Sequence, residues 1–177
     1  LSSPKEEYSA ATLRPRIHRH LPDFLVPLVD SVPKVRSIGL DFDSLSLDSV
    51  EKTLSSLNID KSVAKARSFR GGTSEAGRLL DVFIERKLDK YAELRNDPNE
   101  NCLSGLSPYL HFGQISPLYV ALRVLETRSR NDAAFLEELI VRRELSFNFV
   151  HYNREYSAFD SLPTWANKTL HEHEADP

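Results

Sequence analysis

Two stretches of the 177-residue chain combine residue types and spacings that can do chemistry. The first is the run 103–117, in which Ser104 and Ser107 bracket a glycine, Gly105. A tight turn of this kind presents backbone amides and hydroxyls to a phosphate, as the first turn of a helix does. The same serines can instead cap a helix, and from the residue types alone capping is the favoured interpretation.

The second stretch, 135–145, carries the pair Glu138 and Arg142, four residues apart. On an α-helix this spacing puts both side chains on one face, with the glutamate N-terminal to the arginine, which is the favourable order. A surface ion pair contributes little stability. Flanking apolar residues would bury one side of this pair, however, and a partly buried pair that faces a cavity is a candidate functional site.

Other chemistries lack a pattern in the sequence. No dinucleotide-binding glycine motif, P-loop, zinc-ligand spacing or nucleophile elbow occurs. Glu137 and Glu138 are adjacent and must point in different directions, so they do not form a working carboxylate pair. His171 and His173 are two residues apart and do not share a helix face. Hydrolase and metalloenzyme functions are therefore disfavoured, and we expect no metal site.

Composition and charge are those of a globular chain, with 40% hydrophobic residues, 28% charged residues and a net charge of −3. The charge argues weakly against binding driven by nucleic-acid phosphates alone. A local basic cluster is most simply a solvated helix face. It comprises Arg14, Arg16, His18, Arg19 and His20. No run approaches the ~18 apolar residues of a membrane span. The single cysteine, Cys102, fits a reducing compartment, so we expect an intracellular protein without a membrane span.

The elements that must position these residues are predicted to be helices, which gives an all-α multi-helix bundle. No segment alternates apolar and polar residues as a strand does, whereas apolar spacings of three and four recur. We expect prolines at 15, 22 and 27 to kink or interrupt the first helix, and Thr73 or Ser74 to cap the third. The predicted helices are 8–28, a short one within 45–57, 73 or 74 to 91, a short one within 95–115, 116–127, 131 or 132 to 149, and about 161–171.

In this order and at this distance, the two chemical stretches resemble class II cyclobutane pyrimidine dimer photolyases of the photolyase/cryptochrome family. The resemblance covers nearly the whole chain, is weakest over 29–68 and is most specific in the Leu-Ser-Gly-Leu-Ser-Pro run. The segments that carry it are 11–17, 95–98, 103–117, 135–145, 148–149, 151–153 and 163–166.

The resemblance implies that residues 1–177 are the N-terminal part of the helical FAD-binding domain of a photolyase. Residues 1–70 would form an entry helix and an irregular connection, and residues 71–177 a helical core with the flavin-phosphate loop. The implied activity is light-dependent repair of cyclobutane pyrimidine dimers in DNA, by electron transfer from reduced FAD. DNA that contains pyrimidine dimers is then the expected partner.

Particular residues match the family's cofactor-binding positions. Tyr91 matches the tyrosine that contacts the FAD phosphates. The phosphate-binding loop corresponds to Leu103, Ser104, Gly105, Leu106 and Ser107. On this resemblance the two serines both cap a helix and bind the FAD phosphates.

Three further residues match the lesion side of the family's pocket. Arg95 matches an arginine beside the lesion and the flavin. Glu138 matches the catalytic glutamate that hydrogen-bonds the pyrimidine dimer. Arg142 stands where related enzymes place an arginine or tryptophan that lines the same pocket, so it is assigned to both cofactor and lesion.

The chain departs from the family pattern in places. The family's α/β antenna domain and the later half of its FAD domain fall outside these 177 residues, and Trp165 is the one tryptophan. Phe147 stands where the family usually has aspartate. We therefore expect the chain by itself to lack repair activity. Two alternatives stay open: a truncated relative that acts as a scaffold or subunit with protein partners, and a cryptochrome-like photoreceptor.

Overall fold

The structure is a computed structural model that describes residues 2–29, 31–64 and 66–176. Within these ranges the regular structure is helical and includes no strand, which confirms the all-α prediction. The helices are α1 (Ala10–Phe24), α2 (Val50–Ser56), α3 (Thr73–Arg86), α4 (Leu88–Leu94), α5 (Ser107–His111), α6 (Pro117–Glu126), α7 (Asp132–Leu136), a π-helical segment (Glu137–Arg142), α8 (Arg143–Tyr152), a 3₁₀ turn (Phe159–Ser161) and α9 (Thr164–Glu172).

Contacts within the chain form two compact units. The helical unit comprises residues 2–27 and 72–176, and the intervening unit comprises residues 28–71. Helix α1 belongs to the same unit as the later helices. The assignment of the whole chain to one partial FAD-binding domain stays a prediction.

Helix α1 contains Pro15 and Pro22 and continues through both, so the expected interruption is not observed. One face of α1 is buried because Ala10, Leu13 and Ile17 pack against Val141 of the π-helical segment. These four residues form the smaller of two core clusters. Phe24, the last residue of α1, is exposed.

The larger core cluster lies among α3, α4, α6 and α7. Its centre is a group of aromatic and aliphatic side chains that are almost completely removed from water, a burial that favours folding by about 1.5–3 kcal/mol for each large side chain. The fully or nearly buried members are Ala76, Leu80, Phe83, Leu88, Tyr91, Leu106, Tyr109, Ile115, Val120, Ala121, Val124, Phe135 and Leu139.

The predicted single helix from 73 or 74 to Tyr91 is wrong, because the helix is interrupted at Lys87, between α3 and α4. The Cys102 thiol donates to the Lys87 carbonyl at 3.4 Å, so the loop that follows α4 contacts the interruption between α3 and α4. The predicted cap is also wrong. Gly72 is the N-cap of α3 at φ +114°, a conformation that favours glycine, and its N–H donates to the Gln114 side chain at 2.8 Å.

The remaining helix predictions hold with shifted ends. α6 begins at Pro117, after Ser116, whose side chain accepts a hydrogen bond from the Tyr119 N–H at 3.4 Å. The short helix expected within 45–57 is α2, and the last helix begins at Thr164 after the 3₁₀ turn. The helix predicted from 131 or 132 to 149 is present as a continuous helical run of three parts: α7, the π-helical segment and α8.

A buried polar cluster ties residues 2–9, which we call the N-terminal strap, to α8. The Asn148 side chain accepts from the Glu7 N–H at 2.7 Å and donates to the Lys5 carbonyl at 3.0 Å. The Tyr152 hydroxyl donates to the Ser3 carbonyl at 2.8 Å. The Ser3 hydroxyl donates to the Glu7 carboxylate at 2.7 Å and is the main reason that the pKa of Glu7 is lowered.

Candidate functional site

An ion pair joins the end of α4 to the π-helical segment. Arg95 caps the C-terminus of α4, and its Nη1 lies 2.5 Å from Oε1 of Glu138, the second residue of the π-helical segment. The side chains are 29% and 37% exposed, so the pair is partly desolvated yet reachable from solvent. The hydrogen bond to Glu138 is the largest cause that raises the pKa of Arg95, which stays charged.

The Tyr91 ring lies against the arginine of this pair. Its edge packs against Phe83 and Phe135, at centroid distances of 5.6 and 5.4 Å, and only 6% of the residue is exposed. The Arg95 guanidinium lies over the ring, 5.8 Å from its centroid, in cation–π range. Burial raises the pKa of the Tyr91 phenol, whereas the Arg95 guanidinium beside it acts to lower that pKa.

The predicted pairing of Glu138 with Arg142 is wrong, because each of the two side chains lies nearer to another partner. Both residues belong to the π-helical segment, in which the backbone bonds run from i to i+5. Arg142 accordingly approaches Glu137, with Nε 3.8 Å from Oε1, while Glu138 turns to Arg95. The role of Arg142 as a residue that lines the pocket stays a prediction.

Glu137 takes an arginine from a different helix. Arg14 of α1 donates through Nε to Oε2 at 2.9 Å and through Nη2 to Oε1 at 2.7 Å, a bidentate arrangement. This hydrogen bonding is the largest cause that lowers the pKa of Glu137 and raises that of Arg14. As predicted, the two adjacent glutamates point in different directions, one to α1 and one to α4.

The serine turn, residues 103–107, is open on its outer side. Gly105 adopts φ +69°, which favours glycine, and a side chain built there would meet nothing within 4 Å. The Ser104 hydroxyl accepts from the Leu106 N–H at 3.3 Å, which stabilises the turn. Capping by both serines is not observed, because Leu106 is the N-cap residue of α5 and no side chain caps that helix. Ser107 is exposed at the first position of α5.

The turn is fastened to the beginning of α4. Lys87 Nζ donates to the Leu103 carbonyl at 3.1 Å and to the Asn101 side chain at 2.9 Å. The Leu106 side chain is fully buried in the same core cluster as Leu88. Lys87 precedes α4 and Arg95 follows it, which places them about 12 Å apart along the helix at 1.5 Å per residue. One short helix therefore positions both predicted halves of the site.

Two arginines of the basic cluster of α1 pair with glutamates. Arg14 pairs with Glu137, and Arg16 Nε lies 3.3 Å from Glu7 Oε1. The other three members are exposed, as the interpretation as a solvated helix face predicts: His18, Arg19 and His20.

A cavity of about 390 Å³ lies beside α1, and none of the predicted site residues lines it. It is mainly apolar. Its lining comprises Ser2, Ile17, His20, Leu21, Phe24, Ile140 and Glu144.

Over the ranges that the structure describes, no group of three or more His, Cys, Asp or Glu residues could hold a metal ion. In those ranges, too, no helix has both the length and the apolar character that a membrane crossing requires.

Comparisons with known proteins identify the sequence. The chain is 50% identical over 176 residues, 99% of its length, to the deoxyribodipyrimidine photo-lyase of Methanothermobacter thermautotrophicus, of which it covers 38%. It is 34% identical over 179 residues, again 99% of its length, to the protein of the same name from Potorous tridactylus, of which it covers 33%. The chain belongs to the photolyase family.

A shorter similarity reaches the cryptochromes. Over 54 residues, 30% of this photolyase-family chain, it is 46% identical to cryptochrome-2 of Arabidopsis thaliana, of which it covers 9%. The sequence matches no protein-family model. The chain spans a little over a third of the length of the curated photo-lyases it matches.

The sequence analysis identified both partners of the central ion pair but not their pairing. Arg95 and Glu138 were assigned separately, from a resemblance. The Arg14–Glu137 pair and the polar cluster of Asn148 were missed entirely. Nothing local to these residues signals contacts across 123 and 141 positions of sequence, so only the fold reveals them.

Proposed function

We propose that this chain forms the front part of the FAD- and lesion-binding domain of a class II photolyase, which repairs cyclobutane pyrimidine dimers in DNA with light. Similarity along 99% of this chain to proteins named deoxyribodipyrimidine photo-lyase supports the activity. The class II assignment follows the sequence segments named above. The observation that carries the proposal is the Arg95–Glu138 pair beside Tyr91, because it brings Tyr91 and Arg95 together with Glu138, a site residue that lies far from both in the sequence.

The donors and acceptors of this pair suit a pyrimidine. An ionised carboxylate has two oxygens with about four acceptor positions, so the bond from Arg95 leaves acceptor capacity on Glu138 for a base N–H. Arg95 carries five N–H donors, of which those not bound to Glu138 can donate to pyrimidine carbonyls. Glu138 would thus hold the bases that have been flipped out of the duplex, and Arg95 would orient them.

The serine turn has the chemistry to bind the phosphates of FAD. Ser104 and Ser107 supply hydroxyls, the space beside Gly105 is open, and the Lys87 ammonium lies at the Leu103 carbonyl. Leu106 is fully buried and Tyr91 is nearly so, so Leu106 can contribute only its backbone and Tyr91 only the edge of its phenol. Bound FAD would supply the light-driven electron transfer, and these residues would orient it.

The test of the lesion site is a Glu138→Gln substitution in the intact natural polypeptide. We expect affinity for DNA with a single thymine dimer, relative to undamaged DNA, to fall about 5- to 150-fold. That range corresponds to about 1–3 kcal/mol for one good base contact. Light-dependent repair should fall in parallel.

The matched control is Glu144→Gln, a glutamate of α8 with a comparable exposure of 36%. It should keep full discrimination. If Glu138→Gln binds and repairs the dimer as well as the control does, the proposed lesion site is wrong.

The cofactor half needs a separate measurement. Replacing both Ser104 and Ser107 with alanine should lower the amount of flavin that co-purifies, as read from its visible absorbance, while the far-UV circular dichroism stays unchanged. Undiminished flavin content would remove the serine turn from the cofactor site.

A cryptochrome-like photoreceptor is the second candidate, and the 54-residue similarity to a cryptochrome favours it. The two candidates differ in one observable. A photoreceptor would bind flavin and respond to light without restoring dimer-containing DNA, whereas a photolyase would restore it.

A further inference from the structure

The π-helical segment is clamped from both sides by ion pairs. Arg14 of α1 holds Glu137 with two hydrogen bonds, and Arg95 of α4 holds Glu138 with one. The apolar residues of the segment divide in the same way. Leu139 is buried in the larger core cluster and Val141 in the smaller one. The segment therefore lies between two packed surfaces, each of which receives one glutamate and one aliphatic side chain.

We propose that Arg14 is a positioning residue for the lesion site, because its bidentate pair with Glu137 holds the π-helical register in which Glu138 faces Arg95. This inference rests on the proposed role of Glu138. Arg14 forms its hydrogen bonds and ion pair with Glu137 and none with Glu138 or Arg95, so it acts through its neighbour.

A π-helical segment changes the directions of the side chains on one side of it. A π-bulge amounts to one extra residue in an α-helix. If the segment relaxed to α-helical geometry, the residues on one side of it would turn by about 100°, the angle of one α-helical residue. Glu138 would then leave Arg95. A π-helical register is uncommon and needs support from its surroundings, and such segments occur often at functional sites.

Arg14 is suited to give that support. A bidentate arginine–carboxylate pair fixes both oxygens of Glu137 and so restricts its orientation more than a single contact would. The Glu137 side chain is 21% exposed, less than that of Arg14 at 38%, so loss of the arginine leaves a half-buried carboxylate with only Arg142 at 3.8 Å. Arg16, two residues on, also pairs with a buried glutamate but contacts the N-terminal strap instead.

The experiment compares Arg14→Gln with Arg16→Gln in the intact natural polypeptide. Both remove a guanidinium of α1 from a buried glutamate, but Arg14 alone reaches the π-helical segment. We expect Arg14→Gln to lower the preference for dimer-containing DNA at least fivefold and to speed amide hydrogen exchange in 137–142 at least fivefold. Arg16→Gln should change each less than twofold. Arg14→Lys should recover only part of the loss, because lysine cannot bind bidentately.

A double-mutant cycle in the unfolding equilibrium constant tests the coupling directly. Side chains that act independently at a distance give additive effects. We expect Arg14→Gln and Arg95→Gln to be non-additive by at least threefold, and Arg16→Gln with Arg95→Gln to be additive within twofold. If Arg14→Gln destabilises the fold yet keeps dimer preference and additivity, Arg14 is only structural and the inference is overturned.

The two proposals can fail separately. If Glu138→Gln leaves dimer preference unchanged, the lesion site is wrong, and the cycle and the exchange rates still decide whether Arg14 sets the register. If Glu138→Gln abolishes the preference and Arg14→Gln does not, the lesion site stands and the positioning role is refuted.

Discussion

Phe83 is the position at which the larger core cluster can be tested most directly. It is wholly buried on α3, and its ring centroid lies 5.6 Å from that of Tyr91 and 4.7 Å from that of Phe135. Replacement of a core phenylalanine by alanine costs about 3–5 kcal/mol, a range that already includes the loss of aromatic contacts worth about 0.5–1.5 kcal/mol each. Because two such contacts are lost, we expect Phe83→Ala to lower the free energy of unfolding by about 4–5 kcal/mol.

Urea denaturation of the 177-residue chain, followed by far-UV circular dichroism, measures this loss. The midpoint should fall while the dependence on urea stays the same, since the surface exposed on unfolding hardly changes. At about 2–4 °C per kcal/mol for a chain of this size, the melting temperature should fall by about 8–20 °C.

Phe112→Ala is the matched control, because that ring is 72% exposed and its removal should change stability by no more than about 0.5 kcal/mol. A loss below about 1.5 kcal/mol for Phe83→Ala would refute the packing described around Tyr91.

Two further predictions concern the polar contacts of the helical unit. Since the pKa of Glu137 is lowered in the fold, the stability it contributes is present above its ordinary pKa of about 4.3 and is lost as pH falls through the lower folded value. Urea midpoints should therefore decline below about pH 4.3, and less steeply in Arg14→Gln; equal slopes would contradict this. Asn148→Ala leaves the buried Glu7 N–H without its acceptor and should cost about 1–3 kcal/mol. Faster hydrogen exchange confined to the N-terminal strap would confirm the contact, whereas unchanged exchange would disprove it.

The sequence predicts those parts of the fold that depend on neighbours along the chain. The amphipathic spacing after Gly72 and the Ser116-Pro117 start of α6 are local signals: helix is present at both places, although the first predicted helix is divided into α3 and α4. A capping hydroxyl or an apolar helix face is defined by residues within one or two turns of each other. The sequence alone can therefore predict it, without knowledge of tertiary contacts.

The parts that could not be predicted depend on register and on distant partners. The spacing of Glu138 and Arg142 indicates a pair only if the helix is α-helical throughout, and the π-helical segment breaks that assumption. Likewise, Lys87 falls within an unbroken amphipathic pattern, yet the chain breaks there, where Cys102 and the Leu103 carbonyl contact it. Tertiary contacts override local preference at both places.

Partner residues of the candidate site follow the same division. Tyr91, Arg95 and Glu138 were each assigned by resemblance, but their arrangement around one ion pair depends on how α4 packs against the π-helical segment. Periodicity carries no information on which arginine a given glutamate meets.

The attachment of the N-terminal strap to α8 affects the order in which the chain assembles. Helical proteins usually fold fast because their contacts are short in sequence, but here the first residues need partners some 140 positions later. A ribosome that adds about 5–20 residues per second would take about 7–28 s to supply them. The apolar face of α1 therefore stays uncovered until α8 has been synthesised. During this interval a chaperone would find the largest apolar surface to bind.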